Sequence, residues 1–125
     1  MSAPYAAMTV ALQDNTLAPE GFGHLQHLGV AHHLLKTCDF LDALVIYSKG
    51  IQNLAARAGV SDKFNLTVTL AFLSIMAERI NAAPDQAFEP FLEDNPDLMS
   101  RDLLEKFYTQ DRSGTALARK VFLMP

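Results

Sequence analysis

The sequence predicts an all-α fold, a compact single-domain bundle of five or six helices. Three observations predict it. Apolar residues recur at the 3.6-residue period from Gly23 onward, no segment shows the strict alternation of a half-buried strand, and Gly, Pro, Ser and Asp punctuate the chain where helices would end or begin. With 125 residues, 50% of them hydrophobic and 19% charged, the chain has apolar material for one core and lacks the composition of a disordered segment. No internal repeat or low-complexity tract is present.

Residues 1–21 carry Pro4, Pro19 and Gly21 around a mildly apolar centre, Ala6 to Leu12, without clear periodicity. They read as a partly ordered N-terminal arm, and residues 22–125 as the helical domain. Apolar residues at 25, 28, 30, 31, 34 and 35 make a first helix over 24–37. Asp39 is placed to cap a second helix, which runs through Leu41, Leu44, Val45, Ile51, Leu54 and Ala55 and ends at Gly59. Gly50 lies inside it, where glycine costs about 1 kcal/mol relative to alanine, so a close packing contact or a break is expected there.

The third helix, 65–80, is the most apolar, with one polar stripe of Thr67, Ser74 and Glu78, and should be central. Pro84 and Pro96 bracket a short helix containing Phe88, Phe91 and Leu92. Ser100 precedes another with Leu103, Leu104, Phe107 and Tyr108, and Ser113 is placed to cap a last turn from Ala116 to Val121.

Ten Lys and Arg against 14 Asp and Glu give a net charge of −4, the wrong sign for a surface that neutralises phosphates. Nucleic acid and anionic membrane are therefore not expected as partners. Asp85, Glu89, Glu93, Asp94, Asp97, Asp102 and Glu105 face only Arg101 as a cation in their stretch. A solvated acidic face is the ordinary reading, and a dock for a basic partner the alternative. The single cysteine, Cys38, excludes an intrachain disulfide and suits a reducing compartment. Beside a helix junction it reads as a small packed residue rather than a reactive thiol. The first twenty residues lack a signal-peptide pattern and no window holds 18 apolar residues, so a cytoplasmic location is expected.

The residues that could carry chemistry begin with His24 and His27. At 100° per residue both imidazoles point with Leu28, Ala31, Leu34 and Leu35, toward the core rather than toward water. On the third helix Asn65 and Thr69 share the broad apolar face with Phe72 and Met76. Side-by-side packing of the first and third helices would gather His24, His27, Asn65 and Thr69 into one inward polar cluster, with both helices starting at the same end. His32 and His33 fall toward the edge and back of the first helix, so both are expected at the surface.

Two imidazoles three residues apart can reach one metal ion, but zinc sites want three or four ligands and no third lies nearby in the sequence. We therefore expect no metal and no cofactor. General acid or base chemistry needs only one histidine and a group to orient it, and His24 or His27 could serve. A satisfied polar network that fixes helix register needs no reaction at all. No GxSxG, HExxH, CxxC, P-loop or GxGxxG pattern is present.

Four stretches carry a resemblance over about residues 22–125. They are Phe22-Gly23-His24-Leu25-Gln26-His27-Leu28, Lys63-Phe64-Asn65-Leu66-Thr67-Val68-Thr69, Asn95-Pro96-Asp97-Leu98, and Ala118-Arg119 before the closing Phe122-Leu123-Met124-Pro125. Together they resemble a family of small all-helical bacterial proteins of uncharacterised function, whose motifs read Phe-x-His-x-x-His-Leu and Tyr-His-Glu-Thr-x-Thr. The first motif matches residue for residue. In the second, Asn65 and Leu66 stand where the family has His and Glu, while Thr67 and Thr69 agree. The resemblance implies an all-helical fold and carries no activity with it.

The leading expectation is a small-ligand-binding or interaction domain built around His24, His27, Asn65 and Thr69. The competing one is a small-molecule enzyme with His24 or His27 as general acid or base, assisted by a metal if a third ligand were supplied. A homodimer joined through exposed apolar surface, with the N-terminal arm crossing over, is the third.

Overall fold

The computed structural model describes residues 4–100 and 102–125, and among these the regular structure is helical throughout. Three long helices form the body: α2 (His24–Thr37), α3 (Phe40–Arg57) and α4 (Leu66–Ala82). Each begins where a side chain satisfies a free backbone N–H. Gln26 Oε1 accepts from the Gly23 N–H at 2.9 Å, Asp39 Oδ1 from Asp42 at 2.9 Å, and Asn65 Oδ1 from Val68 at 3.0 Å. Helix α3 stops after Arg57, with Ala58 as its C-cap, because Gly59 takes φ +76°, a left-handed conformation that costs glycine nothing.

Within the segment 1–21, expected as a partly ordered arm, lies a helix, α1 (Tyr5–Gln13), packed on α2 and α3. Two glycines admit it. A Cβ at Gly29 would overlap the Tyr5 ring, and one at Gly50 would lie 2.5 Å from Leu12 Cγ, so α1 rests directly on the α2 and α3 backbones. Leu12 is fully buried as a result. Of the two expectations at Gly50, close packing is the one realised. Periodicity missed α1 because its apolar residues are spread around the helix, leaving Val10 exposed.

This second layer changes α2. Leu28, Gly29, Val30, Ala31 and His32 are buried in succession, which a helix packed on one side cannot achieve. The expectation that His32 lies at the surface is therefore wrong, while His33 is half-buried. Helix α5 (Phe88–Asp94) closes over His32 with Phe88 and Phe91. Beyond it come two 3₁₀ turns, Pro96–Met99 and Leu103–Lys106, and two short helices, α6 (Gln110–Ser113) and α7 (Ala116–Lys120). Leu103 and Tyr108 fall in or beside a 3₁₀ turn rather than an α-helix, and Thr115, not Ser113, caps the last helix by accepting from Ala118 N–H at 3.0 Å. Arg101 lies outside the described residues.

Thr67, expected on a polar stripe with Ser74 and Glu78, is fully buried, whereas those two are exposed. Its hydroxyl donates to the Val121 carbonyl at 2.6 Å and accepts from the Leu123 N–H at 3.0 Å. The C-terminal segment is tied down further by Tyr108 Oη and Arg112 Nε, which donate to the Leu123 and Met124 carbonyls at 2.8 Å each. Thr67→Val keeps the shape and removes both bonds, so it should cost about 1–3 kcal/mol and loosen residues 121–125. Urea denaturation together with carboxypeptidase digestion measures this, and an unchanged midpoint with unchanged digestion would refute it.

A candidate ligand pocket beside two histidines

The first turns of α2 and α4 and the middle of α3 enclose a pocket of about 230 Å³ lined by His24, His27, Tyr47, Asn65, Thr69 and Phe72, among others. The four residues selected from the sequence thus line one cavity. Helices α2 and α4 present their N-terminal turns to it together, as the side-by-side arrangement requires.

The four do not play equal parts. A carbonyl only accepts, so His24 Nε2 carries the hydrogen it donates to the Leu98 carbonyl at 2.9 Å. In the neutral ring this leaves Nδ1 as an acceptor, and no bond to it from the described residues is present. His27 Nδ1 is hydrogen-bonded to the Tyr47 hydroxyl at 3.2 Å, leaving its Nε2 without a protein partner among the same residues. Burial, reinforced by the neighbouring charge of His24, lowers the His27 pKa from 6.5 to about 4. At neutral pH this ring is uncharged. Phe22 packs on it at 4.7 Å, and Phe72 stands edge-on to His24 at 5.9 Å.

Asn65 is not on the helix face, as its spacing suggested, but at the α4 N-cap. Its Oδ1 serves the cap and its Nδ2 donates to the Ser113 carbonyl at 2.7 Å, so both ends of the amide are engaged. The Thr69 hydroxyl donates to the Asn65 carbonyl at 2.7 Å. These two help build the wall of the pocket, where each histidine keeps one ring nitrogen without a protein partner among the described residues.

Tyr47 was missed from the sequence, although a signal existed. It falls in phase with Leu44, Ile51 and Leu54 on the buried face of α3, and a phenol there needs a hydrogen-bond partner as an imidazole does. Burial raises the pKa of its hydroxyl, which stays protonated. Arg79 and Asp97 had no such signal. Arg79 Nη2 donates to Asp97 Oδ2 at 2.8 Å in a two-pronged ion pair. The Arg79 hydrogen bonds hold the Asp97 carboxyl below its ordinary pKa. That pair joins α4 to the Pro96–Met99 turn, whose Leu98 carbonyl orients His24.

His32 forms a second, separate feature. It lies 4.9 Å from the Phe91 ring and 5.4 Å from Phe88, and its Nε2 is buried without a hydrogen-bond partner among the described residues. Burial, helped by the nearby cations Lys36 and His33 and opposed by Glu89, lowers its pKa to about 4.

Among the described residues no three His, Cys, Asp or Glu side chains are grouped so as to hold a metal ion. No helix there is long and apolar enough to cross a membrane. No family model, no curated protein and no solved structure matches the chain.

Proposed function

We propose that this chain is a ligand-binding helical domain that takes a small polar molecule into the pocket between α2, α3 and α4. The observation that carries this reading is the pairing of His24 and His27. Each ring has one nitrogen committed to the protein and the other left unbonded, and both rings line the same cavity. The committed nitrogens fix ring orientation, so a ligand meets preset hydrogen-bonding positions and little entropy is lost on binding. Phe72 and Phe64 complete a mostly apolar wall around those few polar groups, the usual make-up of a small-molecule site. A cavity of about 230 Å³ suits a molecule smaller than the drug-sized ligands of typical pockets.

Acid–base catalysis by His27 is the less supported reading. With its pKa lowered to about 4 that ring is a weak base at neutral pH and holds no proton to give, whereas effective catalysts titrate near the working pH. Resemblance to the bacterial family and a cytoplasmic setting remain part of the proposal, resting on the motif at 22–28 and on composition.

A panel of small polar metabolites followed by ¹H–¹⁵N correlation spectra tests the reading. A true ligand should move the ring signals of His24 and His27, and His27→Ala should weaken its binding about tenfold. A hit that leaves both imidazoles unmoved, or that binds His27→Ala as well as the parent protein, would remove this pocket from consideration.

A further inference from the structure

A second cavity, of about 390 Å³, lies beside the first, between the neighbouring face of α3, the start of α4 and α7. Its composition is unlike that of the chain. Lys49, Arg119 and Lys120 all line it, and none of the 14 Asp and Glu residues does, in a protein of net charge −4. The ion pairs formed among the described residues involve Arg79 and Lys106, not these three. Three cations gathered around one concavity repel one another and raise the local potential for an anion.

A second observation is independent of charge. Ser48, in the wall of the same cavity, is 8% exposed, and its buried Oγ has no hydrogen-bond partner among the described residues. A helical serine ordinarily returns its hydroxyl to the carbonyl four residues back, and Ser48 does not. An unmet hydroxyl in an otherwise well-bonded protein calls for a partner. The rest of the lining is apolar, with Phe64, Leu66 and Leu70 prominent.

We propose that this groove binds an anion carrying a short apolar body: a carboxylate or phosphate monoester head among Lys49, Arg119 and Lys120, toward which the Ser48 side chain, its Oγ sealed from solvent as it stands, turns to donate its hydroxyl, and an aliphatic tail along Phe64, Leu66 and Leu70. The volume lies within the range of small-molecule sites. This site is distinct from the histidine pocket, with Phe64 as a common wall.

Isothermal titration of the full chain with octanoate, octyl phosphate and octan-1-ol tests the proposal. At least one of the two anions should bind saturably and about tenfold or more tightly than the alcohol, with affinity falling as salt is added. Which anion binds better identifies the head group. Ser48→Ala should weaken that anion about tenfold while leaving the fold intact, because a hydrogen bond to a charged partner is lost. Arg119→Gln with Lys120→Gln, both at exposed positions, should weaken it further, and Lys106→Gln, outside the groove, should not. Equal binding of alcohol and anions, no saturable binding of either anion, or affinities indifferent to the Ser48 and Arg119/Lys120 substitutions would each overturn the proposal.

Discussion

On acidification from pH 7 to about pH 4 the protein should lose about 3 kcal/mol of stability for each of two histidines, an effect large enough to unfold many domains of this size. His27 and His32 both have pKa values lowered to about 4 in the folded chain, chiefly by burial, against 6.5 when exposed. Between those values the unfolded chain binds more protons than the native one, so the native state loses ground as pH falls. The stabilisation is complete above about pH 6.5, declines through the window below it, and is gone once the pH drops through about 4. His24 beside His27, and Lys36 and His33 beside His32, contribute to that lowering, and Glu89 opposes it at His32. Urea midpoints across this range measure the slope. His32→Leu should halve it and raise stability at pH 7 by about 1 kcal/mol, since an unpaired buried nitrogen is replaced by hydrocarbon. A variant with the parent slope would show that His32 is already hydrated.

Phe91→Ala should cost about 3–5 kcal/mol, the range for truncating a fully buried aromatic. Helix α5 has seven residues, too few to be stable alone, and Phe88 and Phe91 are the side chains it buries. The loss should extend to His32, whose cover is the Phe91 ring 4.9 Å away. Once hydrated, that imidazole should titrate nearer 6.5, which an NMR titration of the His32 ring reads directly. A loss below about 1 kcal/mol, with His32 still titrating near 4, would mean that the site collapses around the smaller side chain.

The three central helices were legible because each signal for them is local. Asp39 caps α3, Gly59 ends it, and the apolar period of α2 starts at the residue where that helix starts. The pocket was legible in outline for the same reason. His24 and His27 share a face by spacing alone, and Asn65 and Thr69 lie within a turn of one another. What failed was any inference that needed a second neighbour. His32 looks like an edge residue on a helix packed on one side, and it is buried because α1 and α5 cover the remaining faces. Thr67 looks polar and outward until residues 121–123, more than fifty positions away, supply its partners.

The sequence by itself determined that this chain is all-α, where its main helices begin and end, and that two imidazoles turn inward near the start of α2. Helical period and capping act over four residues, so they are written in the local order of side chains. Only the tertiary structure decided which of those side chains keep a polar atom without a protein partner among the described residues. It commits Asn65 to a cap and to Ser113, gives His24 the Leu98 carbonyl and His27 the Tyr47 hydroxyl, and leaves Ser48 without a partner beside three cations. The reason is that hydrogen-bond satisfaction and desolvation depend on every group within reach, and most of those groups come from distant parts of the chain.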